Sequence, residues 1–321
     1  MKLLDSLVPE LVLRERIEIG RWALQALASL GELEHPLRSV ASALAANMAL
    51  VEGRLSDAES LSLESLESEA RLGGPAAWLS RNVMALLRAA SWQFEEAEAF
   101  LDEMTELTTV SADPMPRAVS LFDRALLASF STNPLGGLRW AEELVSLGDA
   151  WESASLRAMG LVSVGRALAL ENVDRARTIL TEAVTLADAS GCGLLVDQAK
   201  RVMSEIDAVA GGHGAGFRGL ADLLQGFGHS GNLSQQLQTV VSALDPLVSV
   251  DAFEVATAIG GALSQTALGS TAQCQRALAL CRDRLSMDAY RTAFSRGSIL
   301  SPAQLVDMVA IELERLISSA S

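Results

Sequence analysis

The chain has 321 residues, half of them hydrophobic but only 4% aromatic, with Ala and Leu dominant. Its net charge is −15 and its pI about 4.7, and it carries only two lysines, Lys2 and Lys200, among dispersed arginines. That balance argues against nucleic-acid or anionic-membrane binding, which need clustered cations, while Ala and Leu favour an all-α fold.

Met1 to Glu10 contains Asp5, Pro9 and Glu10 and has no signal-peptide core. Apolar spacing of three and four predicts a first helix over 15–30, with Ile17, Trp22, Ala23, Leu27 and Leu30 available for burial. That helix has no evident mate. Either the chain is a fragment or residues 2–13 form a short partner. Gly31 to Pro36 is a turn, and Pro36 opens a helix to about Val51. Gly53 breaks it, a helix runs from Leu55 to Leu72, and Gly73-Gly74-Pro75 closes that hairpin. Helices follow over 76–90 and 94–107, then 115–131 and 135–147 joined by Thr132-Asn133-Pro134. The next pair spans 151–170 and 173–189, the latter with Val173, Ala176, Ile179, Leu180, Ala183 and Ala187 on one stripe. Beyond Gly191-Cys192-Gly193 come helices over 194–209, 215–227, 234–244 and 250–263. Gly211 to Gly216 is expected to be a flexible inter-helix loop. The end holds helices over 272–285, 287–294 and 302–317, the last with Ser301 as N-cap and Pro302 in the first turn. The stretch from Val255 to Gln275 lacks charge but is too polar to span a membrane.

A period near 39 residues underlies this order. Pro36, Pro75 and Pro114 are each 39 apart, and Gly53, Leu55, Ala58 recur as Trp92, Phe94, Ala97 at the same offset. Periods of this size mark stacked helical units. Glu171 falls where Gly53 and Trp92 stand, one residue off the second multiple. Regular repeats are expected over 1–189, divergent ones over 190–270 and a helical cap over 271–321, all within one continuous array.

Candidate chemistry is sparse. Neither lysine sits in a phosphate-binding glycine loop, and no His-Glu-x-x-His occurs. His35, His213 and His229 lie on separate turns and helix ends, so a joint metal site is not expected. Cys192, Cys274 and Cys281 have no metal spacing and read as buried thiols in a reducing cytosol. The acidic runs Asp57, Glu59, Glu64, Glu67, Glu69 and Glu95, Glu96, Glu98, Asp102, Glu103, Glu106 read as solvated helix faces. Five tryptophans, Trp22, Trp78, Trp92, Trp140 and Trp151, most simply fill gaps between hairpins. If any lie on a concave face, Trp78, Trp92, Trp140 and Trp151 are the candidate partner or ligand contacts.

Gly53-Arg54-Leu55-Ser56-Asp57-Ala58 and Asn172-Val173-Asp174-Arg175-Ala176 resemble the turn between the two helices of a tetratricopeptide repeat. Leu55, Phe94 and Val173 would be the apolar plug and Ala58, Ala97 and Ala176 the close-approach residues. The unit exceeds the usual 34 residues by about five. Several segments resemble the C-terminal helical-repeat region of actinobacterial STAND-type signalling ATPases, regulators often fused to nucleotide cyclase or LuxR-type DNA-binding domains. They are Arg166 to Arg177, Gly231 to Thr239, Val255 to Leu263, Asp288 to Gly297 and Leu300 to Leu305. Where that family has tryptophans in its last hairpin, this chain has Leu233 and Leu237.

The resemblance implies a right-handed superhelix of about six tetratricopeptide-like hairpins, an α-solenoid, with a C-terminal helical cap. It also implies a cytoplasmic, non-catalytic regulatory module without cofactor or metal. Such a module would bind a protein or small effector on its concave face and act on an upstream switch ATPase. A stand-alone helical-repeat protein enclosing a small ligand is the alternative.

Overall fold

The computed structural model describes Arg14 and residues 16–31, 33–73, 78–110, 113–129, 134–264 and 266–319. The expected mate at 2–13, the Gly74-Pro75 turn and Thr132-Asn133 lie outside these. The described residues are helical throughout, with no strand among them. They fall into two compact units. One takes in the chain to Leu127 with Gly137–Ser163 and Glu182–Val196; the other is Ala128–Gly136, Val164–Thr181 and Asp197–Ser321.

The first unit opens with α1 (Ile17–Leu30), α2 (Arg38–Val51), α3 (Leu55–Leu72), α4 (Trp78–Ala90), α5 (Phe94–Val110) and α6 (Met115–Ser129). Consecutive helices pack in pairs, and α2 also packs on α4. From Ser39 to Ala49 only Asn47 escapes full burial, so α2 is enclosed on nearly every side. A helix apolar all round must be enclosed in this way. Its partner α3 presents Ala58, Ser62, Ser65 and Ser68 to the seam instead of large side chains. Ser65 Oγ donates to the Ser39 carbonyl at 2.7 Å, so small residues bring the two backbones close. Past the short 3₁₀ turn Pro134–Gly137 come α7 (Leu138–Ala150), α8 (Ala154–Leu168) and α9 (Val173–Ala189). Gly148 and Gly160 let α7 meet α8, since a Cβ on Gly148 would stand 2.4 Å from the Arg157 backbone nitrogen.

The second unit continues with α10 (Gly193–Val209), α11 (His213–Ser230), α12 (Leu233–Ser242), α13 (Leu244–Ser249) and α14 (Phe253–Leu263). It ends with α15 (Ala272–Arg284), α16 (Met287–Ser298) and α17 (Pro302–Ser319). Of the glycine run expected as a loop only Gly211 and Gly212 lie outside a helix, because α11 already begins at His213. Asn232, Thr271 and Ser286 cap α12, α15 and α16 by accepting from backbone N–H groups three residues on. Ser301 caps α17 in a reciprocal box with Gln304. The last helix packs back on α11, α12 and α14. Helices α14 and α16 cross at two glycines, where a Cβ on Gly261 would lie 2.1 Å from the Phe294 carbonyl oxygen and one on Gly297 1.9 Å from that of Ala258.

One turn recurs between helices. The N–H groups of Arg54, Gln93, Ser153, Cys192, Gly212, Asn232 and Ala252 each donate to the carbonyl five residues earlier, at 2.8–2.9 Å. The residue before each donor is left-handed: Gly53, Trp92, Glu152, Gly191, Gly211, Gly231 and Asp251. This is the Schellman closure of a helix end. The last four are spaced 20 residues apart, so turn placement stays even where the sequence period was expected to loosen. Glu171 does not join them. Asn172 N–H reaches the Leu168 carbonyl four residues back, closing the α8–α9 turn in one residue fewer.

Candidate functional site

The four candidate tryptophans have different surroundings. Trp78 opens α4 and is buried, so its ring has no open face. Trp140 is half-buried on α7, with the guanidinium carbons of Arg139 and Arg124 at 3.9 and 5.1 Å from its ring centre. Those cations already cover the ring that a partner would use. Trp92 and Trp151 lie in turns, each about half exposed. Trp92 is itself the left-handed residue of its turn and meets Phe94 edge to face, with ring centres 5.4 Å apart. Phe94 and Leu55, at matching positions after their turns, are also exposed. Two of the three residues read from sequence as apolar plugs thus stand at the surface, and the third, Val173, is half-buried. Of the four tryptophans, Trp92 and Trp151 present apolar surface outward.

The acidic runs are not simply solvated faces. They keep solvent contact, yet most are bridged by an arginine from a first helix. Arg81 spans Glu69 of α3 and Glu103 of α5, at 2.7 and 2.9 Å. Arg88 spans Glu59 and Glu96 at 2.8 and 3.2 Å, and Arg124 holds Glu98 and Asp102. Arg38–Glu64, Arg117–Glu143 and Arg157–Glu182 repeat the theme. The planar guanidinium suits this bridging, because its donors can serve two carboxylates at once. Sequence spacing alone showed only the acids, because each arginine comes from another helix.

A second polar set lies inside the other unit, and sequence reasoning missed it. Arg201 of α10 is buried and donates to Gln235 and Gln238 of α12, at 2.8 and 3.0 Å. Arg166 donates to buried Gln198 at 3.3 Å. Gln273 of α15 donates to Glu205 of α10 at 2.8 Å. Arg276 pairs with Asp245 at 3.2 Å. Burial pushes the Glu205 carboxyl up to about 7, with Asp245 adding repulsion and Ser242, Arg201 and Gln273 opposing. Burial likewise lowers Arg166 to about 10, against the attraction of Glu205, so it stays protonated at neutral pH. Arg201 is matched to the two glutamine oxygens, as buried polar groups require. The arrangement ties α8, α10, α12, α13 and α15 together and contains no nucleophile poised on a base.

In the first unit the comparable feature is a single pair. Asp123 of α6 is buried and accepts from Asn82 Nδ2 of α4. Burial raises its carboxyl to about 7, opposed only by that hydrogen bond.

All three cysteines are buried and free, and burial pushes the Cys274 thiol up to about 12. That suppresses thiolate chemistry. His35 accepts from Leu37 N–H in its turn, while His213 and His229 stand at opposite ends of α11. Among the described residues no three His, Cys, Asp or Glu side chains gather as metal ligands would. None of their helices is long and apolar enough to cross a membrane. No protein-family model, curated protein or solved structure matches the chain significantly.

Proposed function

We propose that the chain is a non-catalytic helical-repeat regulatory module, a right-handed α-solenoid of tetratricopeptide-like hairpins that binds a protein partner. By the resemblance drawn from sequence, its partner or neighbouring domain would be a switch ATPase whose state it biases. Biasing requires tighter binding to one of two states. The observation that carries the reading is the exposed Trp92–Phe94 pair, with Leu55 at the matching place one repeat earlier. Aromatic residues held rigidly at a surface are the usual anchors of protein interfaces. The two grooves on α11 are open, which favours a macromolecular partner over an enclosed small ligand.

The test is affinity capture from the native host with wild-type protein, a Trp92→Ala/Phe94→Ala double variant and Trp22→Ala. Trp22 is equally exposed on α1, so it controls for general stickiness. The reading expects at least one protein captured by wild type and Trp22→Ala but lost with the double variant. Identical captures from all three would refute it.

A further inference from the structure

The tenth residue of α3, α5, α9 and α11 is an acid in every case: Glu64, Glu103, Glu182 and Asp222. Three of these receive an arginine of the chain itself. Arg38 reaches Glu64 at 2.8 Å, Arg81 reaches Glu103 at 2.9 Å and Arg157 reaches Glu182 at 2.8 Å. Arg81 and Arg157 are each the fourth residue of their helix, and the fourth residue of α10 is Val196. At α11 the acid is present while the arginine register carries valine. Asp222 is exposed, and among the described residues no ion pair involves it.

Asp222 also stands on a ridge between two grooves. A groove of about 430 Å³ runs beside α10, floored by Met203, Gly219 and Leu223 and edged by Asp197 and Lys200. A groove of about 410 Å³ runs beside α17, floored by Leu224, Val306 and Ala310 and edged by Asp307 and Glu314. Asp222 lines both. Asp207 also edges the first groove but is held by Arg177 at 2.6 Å. Set against Lys200 and His229, the carboxylates leave the ridge acidic above apolar floors.

We propose that this ridge docks a basic amphipathic segment of a partner protein. Its apolar side chains would enter the grooves, and an arginine would take at Asp222 the place that Arg81 and Arg157 take at Glu103 and Glu182. The proposal gives the chemistry of one partner surface and rests on the reading of the chain as an interaction module. Burial raises the Asp197 carboxyl despite Lys200 and Arg201, so a further cation there would be favourable.

The probe is a synthetic amphipathic helical peptide of leucine, alanine and arginine, with a twin bearing glutamine for arginine. Binding is followed by fluorescence anisotropy at physiological ionic strength. The arginine peptide should bind saturably and its twin should not. Asp222→Asn should weaken binding about fivefold, as loss of one charge-assisted contact would. Asp288→Asn, which removes the same charge from exposed α16, should leave it unchanged. Asp197→Arg, which places a guanidinium in the groove, should suppress binding, whereas Asp288→Arg should not. Circular dichroism confirms that each variant is folded. No saturable binding, or equal weakening by Asp222→Asn and Asp288→Asn, overturns the proposal. Because capture through Trp92 and peptide binding through Asp222 are separate readouts, either reading can fail while the other stands.

Discussion

The two units tie their helices together by different chemistry. In the first, guanidinium groups at the seam edges bridge carboxylates that mostly keep much of their solvent exposure, as Arg88 does between α3 and α5. In the second, Arg201, Gln235 and Gln198 are drawn into the interior and matched there. Edge pairs each add little, because water and salt compete for them. A buried network adds little net stability over an apolar core but strongly penalises the loss of any member. The first unit should therefore tolerate substitutions at its ties and respond to ionic strength. The second should do the reverse.

The largest effect should come from breaking the buried network. Arg201→Leu strands the Gln235 and Gln238 amides and should cost about 3 kcal/mol in urea unfolding. Arg157→Leu removes a pair of contacts at the surface and should cost less than about 1 kcal/mol. Equal losses would erase the distinction between the units.

Titration sharpens it further. Asp123 and Glu205 are both raised to about 7 from ordinary values of 3.8 and 4.5. For such acids the folded state holds the proton more tightly than the unfolded chain. Their contribution to stability is therefore greatest below about pH 4, falls as pH climbs toward 7, and levels off above. Asp123→Asn should flatten its share of that fall and raise stability at pH 7.5 by an amount on the order of 2 kcal/mol. Glu205→Gln should give a smaller gain, because Arg201 already compensates part of the burial. Denaturant midpoints measured from pH 4 to 8 would show it; a wild-type profile flat across that window sinks the assignment. Raising NaCl to about 1 M should cost wild type on the order of 1 kcal/mol through its edge pairs. A variant with Arg81→Gln and Arg88→Gln should lose most of that sensitivity.

Much of this architecture was legible in the sequence, and what was hidden was hidden for physical reasons. Helix class and most boundaries followed from apolar periodicity and from glycines at 53, 191, 211 and 231, which supply the left-handed turn residue at no steric cost. The arginine bridges and the buried network were invisible, because their members come from helices that only the fold brings together. Arg201 and Gln235 are 34 residues apart, and Glu205 and Gln273 are 68 apart. Periodicity reports which face of a helix is apolar; it does not report which polar residue on that face finds a partner. The tryptophans show the same limit. Spacing could not separate Trp78, which is buried, from Trp92, which forms a turn.

The turn at Trp151-Glu152 was read as part of a helix for a related reason, and it yields the smallest prediction. No glycine or proline marks it. Glu152 takes φ 49°, and Ser153 N–H closes the turn on the Gly148 carbonyl. A side chain in that conformation crowds its own backbone, a strain glycine does not feel. Glu152 is exposed, so its side chain can be removed without opening a cavity. Glu152→Gly should therefore raise the unfolding free energy by about 0.5–1 kcal/mol, less whatever the unfolded chain gains from the freer glycine backbone. The same change at Glu171, where φ is not left-handed, should give no such relief and should destabilise by glycine's entropy alone. Calorimetry on the two single variants would read opposite signs if turn geometry governs these positions. Shared signs would mean that the 152 turn carries no strain for glycine to release.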